Sequence, residues 1–265
     1  MAKGRLVLLV LVSFVLAGCE ATDGQPLPPA IDQPVLPSPS PAATAAASPS
    51  PPAVRLEALA DSSSPPSGPG AYRYRVEVPR LEGAAIHIGA IDAAIRGALQ
   101  RQVDGWVDQA RAAAAAPTPS DLECASRAVR LTARLAVLRV DCTEQLAGAS
   151  HPDLVTLTFN CDLVAGRILT LEDLFSGGSA YLDVLSGAAR AQLRARLPAG
   201  DDRTLDDGTA PVAANFQVFL LDRPALVVVL PSRYQAAGAS GPPEVQVAYA
   251  DLQRYFARAV TDLIA

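Results

Sequence analysis

Residues that could carry covalent or metal chemistry are few in this chain and far apart in the sequence. The two histidines, His87 and His151, have no cysteine or further histidine at metal-site spacing, and the sole lysine is Lys3. No Gly-x-Ser-x-Gly nucleophile motif follows a predicted strand, and no glycine-rich loop is placed to bind phosphate. We therefore predict no catalytic residue, no metal site and no cofactor, and we expect a protein that is not an enzyme.

An acidic cluster in the second half of the chain is a candidate calcium site. It comprises Asp201, Asp202, Asp206 and Asp207, followed by Gly208. Its spacing lacks the alternating oxygen ligands and the distal glutamate of a calcium-binding loop. A solvated turn is therefore the preferred interpretation.

The beginning of the chain has the features of a bacterial lipoprotein signal. Lys3 and Arg5 precede a short apolar run, which is too short to cross a membrane as a helix. The run ends in Leu16-Ala17-Gly18-Cys19, where small residues precede a cysteine that can receive a diacylglycerol. We predict a signal peptide at 1–18 and lipidation of Cys19, which would hold the protein at the extracytoplasmic face of the cell membrane. An ordinary signal peptide with an incidental cysteine is the alternative.

The segment 19–70 differs in composition from the rest of the chain. It holds 13 of the 23 prolines, many Ser and Ala residues, and few large apolar side chains. Because burial cannot then offset the chain entropy, we predict a disordered linker between the lipid anchor and a folded domain. A proline-rich ligand for a partner domain is an alternative, but no basic residue stands directly beside the prolines.

The charge balance excludes one further class of protein. The formal net charge is −5 and the isoelectric point is near 5.1. Binding to nucleic acid needs a surplus of basic side chains on one face, and none is evident in the sequence. We therefore expect no nucleic-acid partner.

Residues 71–265 alternate between strand-like and helix-like patterns. At 72–79 aromatic or aliphatic residues alternate with charged ones, which is typical of a half-buried strand. From 88 to 116 apolar residues recur at helical spacing, and Trp106 lies in that stripe, where packing is its expected role. Further elements are predicted as an antiparallel meander of strands at 122–131, 134–142 and 153–163, a turn capped by Thr170 and Asp173, a helix capped by Ser179, strands at 216–221, 225–230 and 244–249, and a closing helix at 251–264. The predicted class is α+β, with an antiparallel or mixed sheet and packed helices.

Three cysteines remain in the predicted domain. Folding the strand 122–131 back on 134–142 places Cys124 opposite Cys142, so we predict a disulfide between them. Cys161 would then be free and buried. A bridge between Cys142 and Cys161 is the alternative pairing.

Several segments, taken in order, carry a family resemblance. They are Tyr74-Arg75-Val76-Glu77-Val78-Pro79, Gly148-Ala149-Ser150-His151-Pro152, Gly166-Arg167-Ile168-Leu169-Thr170-Leu171-Glu172-Asp173-Leu174-Phe175, Asn215-Phe216, and Tyr234-Gln235-Ala236-Ala237-Gly238-Ala239-Ser240-Gly241 before Glu244-Val245. Together they resemble the RsiV-like extracytoplasmic domain of unknown function, which is shared with secreted mycobacterial immunogenic proteins. The resemblance covers 72–264 and implies an α+β fold with an antiparallel sheet.

The resemblance also bears on ligands. In the family's sensor member the corresponding domain binds lysozyme and controls release of a sigma factor, through a transmembrane helix and a cytoplasmic segment that are not expected in this sequence. A polysaccharide deacetylase domain accompanies similar domains elsewhere, and none is expected here. His151 and Tyr234 fall in loops that match the family, so the resemblance points to them as ligand-binding residues. Alternatively, both side chains only fix the structure of their loops.

These observations lead to a functional hypothesis. We expect a cell-surface lipoprotein whose domain at 71–265 binds a cell-wall or protein ligand, such as lysozyme, without chemical turnover. The alternative is an envelope hydrolase, or an accessory factor to one, that acts on peptidoglycan. A purely structural envelope protein would have no saturable ligand.

Overall fold

The computed structural model describes residues 50–63, 67–83, 85–113, 118–196, 202–231 and 241–265. Within these ranges no helix is long and apolar enough to cross a membrane. The predicted signal peptide at 1–18, Cys19, the first part of the predicted linker, and Tyr234 lie outside the described residues.

A six-stranded sheet is the centre of the fold. Its strands are β1 (Ala53–Ser62), β2 (Tyr72–Glu82), β3 (Ser120–Leu131), β4 (Leu135–Gln145), β5 (Asp153–Asp162) and β6 (Arg167–Ile168), and they lie side by side in this order. Only β2 and β3 are parallel, and a helix connects them. The meander β3-β4-β5 is antiparallel, which confirms the prediction for these three strands.

The first strand corrects the predicted extent of the linker. We expected 19–70 to be disordered, yet Ala53–Ser62 pairs with β2 over ten residues without a break in register. Its sequence, AVRLEALADS, lies between proline-rich stretches but contains no proline itself. The folded part of the chain therefore begins before residue 71, and the prediction of a linker is wrong for 53–62.

One face of this sheet is covered by helix α1 (Ile88–Ala112). The helix buries an apolar stripe formed by Ile91, Ile95, Leu99, Val103, Trp106, Val107 and Ala110, as its spacing predicts. Trp106 is 1% exposed and its ring meets that of Tyr72 edge to face, with 6.4 Å between the ring centres. This confirms a packing role for Trp106.

A second layer covers the other face of the sheet. It contains a three-stranded antiparallel sheet of β7 (Phe219–Asp222), β8 (Ala225–Val229) and β9 (Glu244–Ala248). Its helices are α2 (Tyr181–Arg194), α3 (Asp202–Thr209), α4 (Tyr249–Leu252) and α5 (Arg258–Ile264). The α+β class is thus confirmed, and the six-stranded sheet lies between two separate apolar cores.

The closing helix differs from its prediction. We expected one helix at 251–264, but α4 ends at Leu252 and α5 begins at Arg258. Between them Phe256 forms a β-bridge with Phe175 and stacks on its ring, with 5.4 Å between the ring centres. The bridge needs extended backbone at Phe256, so the helix is interrupted there. Stacking of the two buried rings stabilises this arrangement.

The predicted helix caps had different outcomes. Around Thr170 the prediction is confirmed, because the Thr170 N–H donates to the Asp173 carboxylate and the Asp173 N–H donates to the Thr170 hydroxyl. Ser179 does not cap α2 with its side chain: Ala180 is the N-cap, and only the Ser179 carbonyl accepts a bond, from Leu182 N–H. The acidic residues Asp206 and Asp207 lie in α3 rather than in the expected turn, and Asp206 forms an ion pair with Arg190 of α2.

The cysteines lie as predicted. Cys124 and Cys142 are directly opposite each other on β3 and β4 and form a disulfide. Cys161 is free and fully buried, and its burial raises the pKa of the thiol to about 12. The thiolate needed for nucleophilic chemistry is therefore scarce at neutral pH.

Candidate ligand-binding cleft

Of the two residues indicated by the family resemblance, His151 is described by the structure. His151 is exposed, and its Nδ1 lies 3.3 Å from the carbonyl oxygen of its neighbour Pro152. Two residues later the chain enters β5 at Asp153. Tyr234 lies outside the described residues. Asp153 lines a cleft whose other lining residues include Pro231 and Pro242.

This cleft has a volume of about 250 Å³ and mostly apolar walls. One wall is β5 and the other comes from the second layer. Its lining residues are Asp153, Leu154, Val155 and Thr156 on β5, and Val218, Val229, Leu230, Pro231 and Pro242 opposite. A pocket against the face of a strand would be lined by every second residue, since side chains alternate. Four consecutive lining residues mean that the cleft runs along the edge of β5.

The backbone of β5 is open along this cleft. The Asn160 carbonyl accepts a bond from Leu169 N–H on the side away from β4, so the even-numbered residues of β5 direct their backbone groups to that edge. These groups include the N–H and C=O of Leu154 and Thr156, and no described residue pairs with them. Further along, Thr158 and Asn160 bind β7 through their side chains. The free edge of β5 is therefore confined to its first half, beside the cleft.

A polar network lies beneath the cleft. The Thr156 hydroxyl donates to Asp141 Oδ1 at 2.7 Å, and Arg139 Nε donates to the same oxygen at 2.8 Å. Arg139 also forms an ion pair with Glu244 of β9, which ties the two sheets together. Burial alone would lower the pKa of Arg139, but its bonds to Glu244 and Asp141 outweigh burial and raise it. Arg139 is thus a fixed cation that holds the cleft floor in place.

An acidic pair lies at the start of β5. Glu144 of β4 is opposite Asp153 in the register, and the Gln102 side chain of α1 donates to it at 2.7 Å. Burial raises the pKa of Glu144, the Gln102 bond lowers it, and the negative charge of Asp153 raises it further, with a net increase. Two carboxyl groups are therefore close together at the start of β5, and of these two Asp153 lines the cleft whereas Glu144 binds α1.

The groups that line the cleft are apolar and polar groups able to contact a ligand. Within those ranges no three His, Cys, Asp or Glu side chains are grouped so that they could hold a metal ion. His87, just before α1, packs against Gly166, where φ is +71° and a Cβ would be 2.5 Å from the His87 Cβ. The cleft offers apolar contact, backbone hydrogen bonds, one hydroxyl and one carboxylate at its mouth. These groups are suited to binding an extended chain.

Sequence reasoning did not identify the residues of the cleft, although a signal was present. In the run Leu154-Val155-Thr156-Leu157-Thr158-Phe159-Asn160 every second residue from Thr156 is polar, yet Asn160 is 1% exposed. A polar face on a buried strand indicates that another backbone or a ligand meets it. Asn160 binds β7 in this way, while Thr156 lies in the cleft.

Comparison with known proteins assigns part of the chain to a domain type. Residues 172–250 match the family described as "Protein of unknown function (DUF3298)". These residues include α2, α3 and all three strands of the second sheet. A DUF3298 domain of unknown function is therefore found in this chain, and it supplies the second wall of the cleft.

A curated relative shares sequence over a short segment. The "Peptidoglycan-N-acetylmuramic acid deacetylase PdaC" of Bacillus subtilis (strain 168) is 31% identical over 101 residues, which cover 38% of this chain and 22% of that protein. The chain thus matches about a fifth of the length of this relative.

Two solved structures share the fold. A DUF3298 family protein from Pseudomonas aeruginosa PAO1 has a TM-score of 0.54 at 12% identity, over 79% of this chain and 96% of that one. A member of the DUF3298 family from Bacteroides fragilis NCTC 9343 has a TM-score of 0.53 at 14% identity, over 81% of this chain and 98% of that one. At such identities the likeness concerns the fold.

Proposed function

We propose that this protein is a lipid-anchored binding module of the cell surface, and that its cleft captures an extended segment of a protein ligand without chemical turnover. The observation that carries the proposal is the open edge of β5 beside an apolar cleft. Backbone hydrogen bonds along such an edge give affinity, and a neighbouring pocket for a side chain gives specificity.

The location rests on the sequence. Leu16-Ala17-Gly18-Cys19 has the pattern of a lipoprotein cleavage site, and the disulfide between Cys124 and Cys142 suits an oxidising compartment outside the cytoplasm. The resemblance to RsiV-like domains supports a protein ligand, and lysozyme is the ligand to test first. The negative formal charge of this chain favours association with a basic protein of that kind.

The test uses the full chain, purified in detergent, with hen egg-white lysozyme as the probe and calorimetry as the readout. Leu154→Pro removes the backbone N–H that points to the cleft, whereas the hydrogen bonds between β5 and β4 are kept. We expect the affinity to fall roughly tenfold or more in this variant. The matched control is Leu154→Ala, which keeps the N–H and should lose less.

A second variant tests the apolar wall. Val218→Phe fills the cleft from the opposite side, and it should weaken binding without removing any hydrogen bond of β5. Equal affinity in Leu154→Pro, Val218→Phe and the natural chain would show that lysozyme does not use the cleft. Absence of saturable lysozyme binding by the natural chain would reject lysozyme as the ligand.

The alternative function is action on peptidoglycan, as a hydrolase or as an accessory factor. It is favoured by the similarity to the peptidoglycan deacetylase of Bacillus subtilis, which covers 38% of this chain. Incubation of the full chain with purified peptidoglycan separates the two functions. Released muropeptides would support the alternative and contradict the non-catalytic proposal. Co-sedimentation of the protein with peptidoglycan, without release of fragments, would identify peptidoglycan as the ligand.

A further inference from the structure

The strand β1 forms one outer edge of the six-stranded sheet. It pairs with β2 over ten residues, from Ala53 with Glu82 to Ser62 with Arg73, and the pairing has no bulge. Its other side has no strand beside it in the described part of the chain. Most residues of β1 are exposed, so this edge is accessible to a partner.

The backbone geometry shows which groups the edge offers. The Ser63 N–H donates to the Tyr72 carbonyl, so odd-numbered residues of β1 bond to β2. The N–H and C=O groups of Val54, Leu56, Ala58 and Ala60 therefore point outward, and none of them has a partner among the described residues. At the end of the strand the Ser62 N–H donates to its neighbour Asp61, which closes the open edge there.

The side chains of the same residues are all apolar. Val54, Leu56, Ala58 and Ala60 form a stripe on one face of β1, and Leu56 is 46% exposed. A long, regular edge with exposed apolar side chains is a template for pairing with another strand, and proteins usually block such edges with a proline, a bulge or a covering element. β1 has neither a proline nor a bulge.

The charged side chains on the opposite face of β1 indicate which strand could pair with its open edge. They are Arg55, Glu57 and Asp61, and Arg55 is 65% exposed, with guanidinium contacts of 3.9 to 4.0 Å to Glu82 and Glu57. If two copies of β1 pair antiparallel around Ala58, Arg55 lies opposite the partner subunit's Asp61, twice by symmetry. A shift of two residues either way puts Glu57 opposite the partner's Glu57 or the partner's Asp61.

We propose that β1 is a dimerisation strand, which pairs antiparallel with β1 of a second copy around a two-fold axis at Ala58. The pairing gives hydrogen-bond partners to the outward backbone groups and covers Leu56 with the partner's Ala60. Charge complementarity fixes the register. A two-fold contact of this kind closes at two subunits, and it leaves the β5 cleft at the opposite edge of the sheet free.

Sedimentation velocity of the purified full chain over a concentration series tests the dimer. We expect a reversible monomer–dimer equilibrium in the natural chain. In Arg55→Asp or Asp61→Arg, like charges meet at both symmetric positions, so each variant alone should dimerise roughly tenfold or more weakly. An equimolar mixture of the two variants restores both opposite-charge pairs in a heterodimer, and its dimer fraction should recover.

A backbone variant keeps the test decisive if a charge variant fails to fold. Ala58→Pro removes the outward N–H at the two-fold axis and leaves the bonds to β2 intact, so it should abolish dimers, whereas Ala58→Val should keep them. The proposal is overturned by a monomeric natural chain, by oligomers larger than two, or by dimers that Ala58→Pro and the charge variants leave unchanged.

Discussion

The two faces of the six-stranded sheet are joined to their covering layers in different ways. On the α1 face, contact is made chiefly by the apolar stripe of α1 that includes Trp106, with the Cys124–Cys142 disulfide in the same core and buried Asp92 accepting from Leu81 N–H. On the other face, polar side chains reach across. Asn160 donates to the Phe219 carbonyl at 2.7 Å and accepts from Leu221 N–H at 2.8 Å, and Arg139 forms an ion pair with Glu244.

This difference separates stability from recognition. Apolar packing is non-directional and fills the core between α1 and the sheet, so the cleft of about 310 Å³ on this side lies outside that core, beside Tyr74 and Asp104. On the other face hydrogen bonds are added to a second apolar core, and a cleft remains at its edge beside Thr156. We therefore expect substitutions on the α1 face to change stability alone, and substitutions on the other face to change binding as well.

The largest effect is expected for Trp106→Ala. It removes a side chain that is 1% exposed from the α1 face, so the free energy of unfolding should fall by about 3 to 5 kcal/mol. Urea denaturation measures this change. Ile86→Ala is the matched control, because Ile86 is 89% exposed and its truncation should change stability by less than about 0.5 kcal/mol. A similar loss of stability in both variants would contradict the role of Trp106 in packing α1 against the sheet.

The next effect concerns the disulfide on the same face. Cys124→Ala with Cys142→Ala removes a bridge between residues 18 apart, so the chain-entropy relation gives a loss of about 3 kcal/mol. Thermal unfolding with and without a reductant measures it. The natural chain should be destabilised by the reductant, whereas the double variant should not respond.

On the other face, Asn160→Ala should have an intermediate effect. It leaves the Phe219 carbonyl and the Leu221 N–H without their partner in a buried setting, which costs roughly 2 to 3 kcal/mol. Because these bonds also position the second wall of the cleft, ligand affinity should fall in the fraction that remains folded. Thr158→Val, which removes the single bond to Phe219 N–H, should show the same pattern to a smaller degree. If Asn160→Ala lowered stability but left affinity unchanged, the proposed division between the two faces would be wrong.

The sequence predicts the parts of this fold that depend on local periodicity. Strands β3 and β5 largely alternate with period two, β4 begins with a continuous apolar run, and α1 repeats at helical spacing, so these elements and the Cys124–Cys142 pair follow from neighbouring residues. The strand β1 was missed because the surrounding prolines dominate its composition, although 53–62 itself contains none. The break before α5 was missed because Phe256 is extended by a partner 81 positions away, Phe175, which no local pattern reveals.

The cleft shows the same limit for function. Its walls come from β5 and from residues around β8, which are distant in sequence and meet only through the packing of two sheets. The family resemblance brought His151 to attention, near one wall, but it could not identify Leu154 or Thr156. Their role follows from an unpaired strand edge, and this depends on which strands lie beside β5 in the folded molecule.

The smallest effect concerns one of the polar contacts on the α1 face, the bond between Gln102 and Glu144. The pKa of Glu144 is raised in the folded protein above its ordinary value of 4.5, chiefly by burial and also by Asp153. Between pH 4.5 and the raised pKa the folded state binds more protons than the unfolded state, so stability falls as pH rises through that window.

At neutral pH the ionised Glu144 therefore destabilises the folded protein, and Glu144→Gln should increase the free energy of unfolding by about 0.5 kcal/mol. The gain should vanish below pH 4.5, whereas Glu123→Gln, at an exposed position of β3, should not reproduce this dependence in urea denaturation from pH 4 to 8. A Glu144→Gln variant that is less stable than the natural chain at neutral pH would mean that the charge of Glu144 is used, by Gln102 or by a ligand, rather than tolerated.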